Sequence, residues 1–437
     1  MKLQSYNDCL TYLNSLYSYE KNAHRISPPP FHLEKIAQVM DSLGNVHHSY
    51  RVVHIAGTKG KGSCAAMVTS ILKSAGAKVG TYTSPHLVDL RERICIDGEP
   101  ISEELFVSAV DGVRSVIGER PKEYATFFEV LTASAFLAFH NADVDIAVVE
   151  AGLGGKFDAT NIVIPDVAVL TRIGFDHTER LGNTIQEIAA DKSGIIKNGC
   201  RVVVGKQEAE AITTILEIAR QKKADVSICG RDFSFEIVKK SIQETALHIY
   251  IPPDELSVHL PLVGGFQAEN AATAAMTAHT IGIDGEDIVS GLEKTHLRGR
   301  MDVLRGNPLI IADGAHNPTA AATISREVLE LGLAPIVMVV GINSPKNFEK
   351  MLQSWAKVAK SFVFTSSGSP RSYSPDMLTK YAENSLGVKS IPVNEPIEAL
   401  GKAVKMAGEN GKILITGSLY LVGEILRTFL DCDIDAP

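Results

Sequence analysis

The spacing of apolar positions along the chain divides it into alternating strands and helices. From Arg51 onward, short β-branched runs are separated by stretches with helical spacing: RVVHIA, a helix from about Lys61 to Ala75, KVGTYT, and later VDIAVVE, DVAVLT and RVVVG. These runs are apolar at nearly every position rather than at every second one. Such strands are covered on both faces, so the pattern predicts a βα-alternating, largely parallel sheet. The pattern restarts after the polar, Arg-rich stretch THLRGRMDVLRGN, with PLIIAD, APIVMVVG, SFVFTSS and GKILITG. A boundary is therefore expected near residues 296–300. No internal repeat or low-complexity tract is visible, and Pro28-Pro29-Pro30 marks a stiff extended loop before the next helix.

Length agrees with this division, since 437 residues with 45% hydrophobic content exceed what a single core usually organises. Lys and Arg number 43 against 51 Asp and Glu, a formal charge of -8. That balance argues against nucleic acid or an anionic membrane as a general partner, and any anionic ligand must be held by local features. Cys9, Cys64, Cys95, Cys200, Cys229 and Cys432 are widely spaced, with no C-x-x-C pair, as free thiols in a reducing compartment would be. The N-terminal stretch lacks the basic start and apolar run of a signal peptide, and no apolar run approaches about 18 residues. A cytoplasmic protein is expected.

RVVHIA runs into Gly57-Thr58-Lys59-Gly60-Lys61-Gly62-Ser63 and then a helix. A strand, a glycine-rich loop and a helix in this order cradle phosphates on backbone N–H groups, with Lys61 reaching the β/γ-phosphates and the glycines letting backbone approach the ligand. Ser63 is expected to cap the helix and to offer a hydroxyl to magnesium. The general pattern G-x-x-x-x-G-K-[ST] is met imperfectly, because the first Gly is two residues late and Gly62 precedes Ser63. A merely structural glycine turn is the competing reading.

The form GTKGKGS resembles the P-loop of the Mur ligase family, in the version of its folylpolyglutamate and dihydrofolate synthase branch. TSPHL with ERI, TFFEVLTASAF, EAGLGGKFDATN, DHTERLG, ADKSGIIK, DGAHNP and TGSLYLVGE resemble that branch's motifs in its order, through nearly the whole chain. The resemblance implies an α/β fold: an N-terminal P-loop ATPase-like domain with a mostly parallel sheet, residues 1–297, and a smaller C-terminal Rossmann-like domain, residues 298–437. It also implies an ATP-dependent ligase that adds L-glutamate to a folate or to dihydropteroate through an acyl phosphate.

Several residues carry both a physical reading and a family one. Glu150 ends an apolar strand just before a glycine turn, at the carboxyl edge where α/β sheets bind ligands, although a solvated strand-end acid would read the same. In the family it is a magnesium ligand. Thr184-Ile185-Gln186-Glu187 has capping-box spacing, and the helix it starts places Ile185, Ile188, Ala189 and Lys192 on one stripe. Lys192 is then a cation on an apolar face, either snorkelling to solvent or, as the family implies, carbamylated from a desolvated neutral amine. The resemblance makes His177 a ligand of a second magnesium and Ser84 a hydroxyl ligand of the first, a hard donor set suited to Mg²⁺. It places Asn270, Arg300, Asp313 and His316 on the nucleotide with the P-loop, and Thr126, Phe128, Asp158 and Ala159 near the pteroate. Asp313 alone would read as a turn or capping acid. Arg300 on the linker suggests that domain closure completes the site.

Lys156-Phe157 stands where the family usually has Arg-Leu, Asp191 where it usually has Glu, and Lys59 where many members have Asn. Residues 19–45 match the family's substrate loop only loosely. The expected partners are small molecules, namely ATP with two Mg²⁺, glutamate and a pterin acid, bound to a monomer. Two alternatives remain open at this point: a Mur-type ligase for a muramyl peptide or similar acid, and a nucleotide-binding regulatory module.

Overall fold

The computed structural model describes residues 2–18, 33–118 and 124–431. Pro28-Pro29-Pro30 and most of the loosely matching N-terminal stretch lie outside them. The first sheet contains β1 (Arg51–Ala56), β2 (Val79–Tyr82), β3 (Ile94–Ile96), β4 (Glu99–Pro100), β5 (Ile146–Glu150), β6 (Val167–Leu170), β7 (Arg201–Val204) and β8 (Asp225–Ile228). Their order is β4-β3-β2-β5-β1-β6-β7-β8, parallel except for the β2–β3 and β3–β4 pairs. The apolar runs occupy the middle of this sheet, and the short antiparallel strands blunt one edge, where an unpaired ladder would otherwise face solvent.

Adjacent residues of β1 feed different cores. Val52 packs with the helices Glu103–Ile117 and Phe127–Asn141, whereas Val53 and Ile55 pack with the helices Lys61–Ser74 and Gly265–Thr280. The last of these helices is buried through Ala268, Ala271, Ala272, Ala274, Ala275 and Ala278. Small side chains let it sit between the P-loop helix and a separate antiparallel sheet of β9 (Ser234–Lys240), β10 (Thr245–Ile251) and β11 (Asp254–Leu260).

The last sheet contains β12 (Asp302–Gly306), β13 (Leu309–Ala312), β14 (Ile336–Val340), β15 (Ala359–Phe364), β16 (Ser390–Pro392) and β17 (Lys412–Thr416), ordered β12-β13-β17-β14-β15-β16. Only β12 is antiparallel to its neighbour. The Arg-rich stretch read as a polar linker therefore contains an edge strand, bulged between Val303 and Arg305. Charged side chains are tolerated there because an edge strand is covered on fewer sides. No described helix is long and apolar enough to cross a membrane.

Strand order positions the site. β1 is flanked by β5 and β6, and the chain leaves β1 toward β2 on one side but leaves β5 toward β6 on the other. Such a reversal opens a crevice at the carboxyl ends of the strands. Pairing of Ile55 with Glu150 and of Ala56 with Leu170 sets the loops after β5, β1 and β6 side by side.

Candidate functional site

The loop after β1 is clamped onto the loop after β6. The amides of Thr58 and Lys59 donate to Arg172 O at 2.9 and 3.1 Å, and the Thr58 hydroxyl donates to Gly174 O at 3.0 Å. Two glycines are required by this packing: a Cβ on Gly57 would collide with the Thr171 hydroxyl, and one on Gly60 with the Asn270 side-chain amide. Gly60 also has φ +85° and is itself the helix N-cap, so Ser63 is the third helical residue and not the cap. No side chain caps this helix, and an anion is the kind of group that can take the capping place at such an end.

Glu150 reaches this turn from β5. Its carboxylate accepts the Ser84 amide at 3.1 Å, lies 3.8 Å from Lys61 Nζ and stands 3.4 Å from where a Gly62 side chain would begin. Burial raises the Glu150 carboxyl, against the pull of Lys61, the Ser84 amide and Arg300. Ser84 is positioned by Glu92, whose carboxylate receives the amides of Leu87, Val88 and Asp89 at 2.7–3.0 Å. The ERI motif therefore anchors the TSPHL loop.

Lys192 does not snorkel. It is 4% exposed, and its ammonium donates to Gly57 O at 2.9 Å. Burial, then the nearby Lys61, push its pKa down to about 7, with Asp191, Asp176 and Asp158 opposing. The expected capping box is present, with the Thr184 hydroxyl receiving Glu187 N at 3.2 Å, and Ile188 and Ala189 are buried beside Lys192.

The loop after β13 faces these groups from the other sheet. Asp313, buried, accepts Met301 N at 2.9 Å and Ala315 N at 2.8 Å. Burial lifts its pKa to about 6 against the opposing Arg300. The Arg300 guanidinium lies over Gly314, 2.7 Å from where a Cβ there would stand. Burial, with Lys59 and Lys346, lowers His316 to about 4, and its Nδ1 is 2.8 Å from Gly314 O. Asn317, not Asp313, caps the following helix, through Ala320 N.

Three site residues escaped the sequence reading. Asp176 pairs with Lys59 at 3.3 Å and receives the Asn317 amide at 3.5 Å. Burial would raise Asp176, but Lys59, His177, Lys346 and His316 outweigh it and hold the pKa at about 2. Asn317 and Lys346 come from the second sheet's loops, so only the fold brings them to Asp176. His177 has φ +49° and a half-exposed side chain between Asp176 and Glu179. Burial lowers its imidazole despite Asp176.

The four residues suggested for the pteroate have structural partners as well. Thr126 caps the helix Phe127–Asn141 in a reciprocal box with Glu129. Phe128 lies against Gly152 and packs 5.9 Å from the Tyr82 ring. Asp158 is buried and accepts from Leu153 N, Thr160 N and the Thr160 hydroxyl, which fixes the turn containing buried Ala159. Phe128 alone offers a partly exposed aromatic edge beside the Glu150 turn.

Among the described residues no three His, Cys, Asp or Glu side chains converge as a self-sufficient metal site. The donors fit magnesium held largely by phosphate and water, with one buried carboxylate that receives a single amide and has spare lone pairs. Together the switch-point crevice, the phosphate loop and the buried acid define a nucleotide-dependent phosphoryl-handling enzyme.

Comparison with known proteins narrows that class. The Mur ligase middle domain matches residues 55–278, and the Mur ligase glutamate ligase domain matches residues 299–419. The chain is 32% identical to the Bacillus subtilis dihydrofolate synthase/folylpolyglutamate synthase, covering 90% of this chain and 94% of that one. It is 34% identical to a probable bifunctional folylpolyglutamate synthase/dihydropteroate synthase of Halobacterium salinarum over 94% of its own length, but spans about half (51%) of that protein. Mycobacterium tuberculosis folylpolyglutamate synthase complexed with ADP superposes with a TM-score of 0.88 at 29% identity, covering 99% of both chains. Escherichia coli FolC in complex with DHPP and ADP gives 0.87 at 29% identity, again over 99% of both chains. The chain belongs to the Mur ligase family, in its folylpolyglutamate and dihydrofolate synthase branch.

Proposed function

We propose that the chain is an ATP-dependent ligase that joins L-glutamate to dihydropteroate, to a folate, or to both, through an acyl phosphate. The observation that carries this reading is the meeting of Lys61, Glu150 and Lys192 from one sheet with Arg300, Asp313 and His316 from the other across one crevice. ADP-bound relatives of the same fold support the nucleotide assignment, and the FolC complex with DHPP and ADP supports a pterin acid.

Gly57, Thr58, Lys59, Gly60, Lys61, Gly62 and Ser63 bind the triphosphate, while Asn270, Arg300, Asp313 and His316 hold the rest of the nucleotide. Ser84, Glu150 and His177 would hold two magnesium ions, which supply positive charge to the transferring phosphoryl group when bound. Lys61 and the loop amides orient the γ-phosphate, and a substrate carboxylate attacks it in line, so catalysis rests on positioning and charge stabilisation. The glutamate amine then attacks the acyl carbon, and phosphate leaves.

Lys192, buried beside the loop with a pKa near 7, presents a large neutral fraction, as carbamylation requires. Its carbamate would carry negative charge at the metal site. Phe128 lies against the pterin, with Thr126, Asp158 and Ala159 shaping the wall behind it. Functional domains of residues 1–297 and 298–437 supply the two sides of the cleft. The protein works as a cytoplasmic monomer without nucleic acid or membrane partners.

The test is phosphate release with ATP, Mg²⁺ and glutamate, offering dihydropteroate and tetrahydrofolate separately and weighing the products by mass spectrometry. A glutamyl increment on either pterin supports the reading. ATP binding without an increment on any pterin contradicts it.

A further inference from the structure

We propose that Glu327 is a positioning residue of the nucleotide site, acting on the P-loop from the second lobe through the helix Gly265–Thr280. Glu327 lies on the helix Pro318–Glu330, 2% exposed. One of its oxygens accepts both Gly265 N and Lys240 Nζ, each at 3.1 Å. Lys240, the last residue of β9, also pairs with the more exposed Glu330. A carboxylate at the first residue of another helix satisfies an amide that has no intrahelical partner and complements the helix dipole. The contact is backed by apolar packing, with Ile242, Val263 and Phe266 joining the core of the second lobe beside Met301 and Ile324.

The helix that Glu327 holds reaches the P-loop by two routes. Asn270 is oriented by Gln267, its amide donating to Gln267 Oε1 at 3.0 Å, and fills the space over Gly60. Glu269 accepts from the Arg172 guanidinium at 3.3 Å, and the Arg172 carbonyl receives the amides of Thr58 and Lys59. A shift of the helix start therefore moves the residues that fix Thr58, Lys59 and Gly60. The hydrogen bonds of Glu327 run to Gly265 and Lys240, so the link to the P-loop runs through the helix Gly265–Thr280.

The inference rests on the reading of the P-loop as an ATP site, but its test does not require turnover. Full-length Glu327→Gln and Lys240→Met are compared with wild type, and Glu330→Gln serves as a control at the exposed partner. ATP affinity is measured by calorimetry without an acceptor, hydrogen exchange is followed over residues 57–63 and 265–271, and thermal midpoints report folding. Coupling of this kind commonly changes affinity five- to a hundredfold, and about tenfold weaker ATP binding is expected for Glu327→Gln. Faster exchange in both segments should accompany it, and KM for ATP should rise while KM for the acceptor stays put. Lys240→Met should move the same readouts less, and Glu330→Gln hardly at all.

A folded Glu327→Gln or Lys240→Met protein with wild-type ATP affinity and wild-type exchange at 57–63 overturns the proposal. So does a lowered thermal midpoint with nucleotide affinity intact, since that marks a purely structural role. Exchange at 57–63 reads the link even if no pterin gains glutamate, so failure of the ligase reading and failure of the link are separate results.

Discussion

Replacing Lys192 with Met removes a buried amine whose burial is held against its own solvation. A fall from the ordinary lysine value of 10.5 to about 7 corresponds to about 5 kcal/mol of folding free energy at about 1.4 kcal/mol per unit. The sign follows from proton counting. Between pH 7 and 10.5 the unfolded chain binds more protons at this site than the folded one, so wild-type stability rises with pH across that window. The penalty is complete below about pH 7 and absent above 10.5. Met of similar length escapes it but leaves Gly57 O without its donor, at a cost of about 1–3 kcal/mol. Lys192→Met should therefore be more stable than wild type by roughly 2–4 kcal/mol at pH 6, with the difference close to zero near pH 9. Urea unfolding of the nucleotide-free protein in carbon-dioxide-free buffer from pH 6 to 9 measures this directly. A pH-independent difference would refute the argument. Labelled bicarbonate should then give wild type a carbamate carbon resonance that Lys192→Met lacks, and the variant should fail to turn over.

Other perturbations have equally definite signs. Lys61→Ala removes the cation 3.8 Å from Glu150 and, on the proposed mechanism, should lower kcat/KM for ATP by about a hundred- to a thousandfold, read from steady-state phosphate release. Gly60→Ala places a methyl group against Asn270 at φ +85°, and calorimetry should find ATP binding weakened by at least about 1–2 kcal/mol. Asp313 should ionise near pH 6, so kcat/KM for ATP should fall as pH drops through that value, and Asp313→Asn should flatten the acid limb while lowering the plateau.

The strands were legible because β1, β5, β6, β13, β14 and β17 are buried on both faces and read as continuous apolar runs. The P-loop and Glu150 stood out because each lies beside such a strand, whereas Lys192 ends a short helix whose apolar stripe left a snorkelling lysine open. The β9–β11 sheet was harder to see. Its exposed edge strand SFEIVKK has a weak alternation, and it is held in place by the alanine face of the helix Gly265–Thr280 that follows it. The strand Asp302–Gly306 was hidden by its charges, and Ser63 was misread as a cap because the helix begins earlier, at Lys61, with Gly60 as its N-cap. Asp176, Asn317 and Lys346 belong to loops up to 170 residues apart, and no local pattern encodes their meeting. Glu327, one charged residue among several on an amphipathic helix, likewise acquires its neighbours only when the lobes pack.

The acyl phosphate is the centre of this account, and oxygen transfer tests it most directly. Dihydropteroate or tetrahydrofolate carrying oxygen-18 in its reacting carboxylate is incubated with enzyme, ATP, Mg²⁺ and glutamate, and the released phosphate is weighed. One heavy oxygen in the phosphate for each glutamyl unit added is the predicted result, because the attacking carboxylate oxygen leaves with the phosphoryl group. Glutamyl product accompanied by unlabelled phosphate would contradict the mechanism.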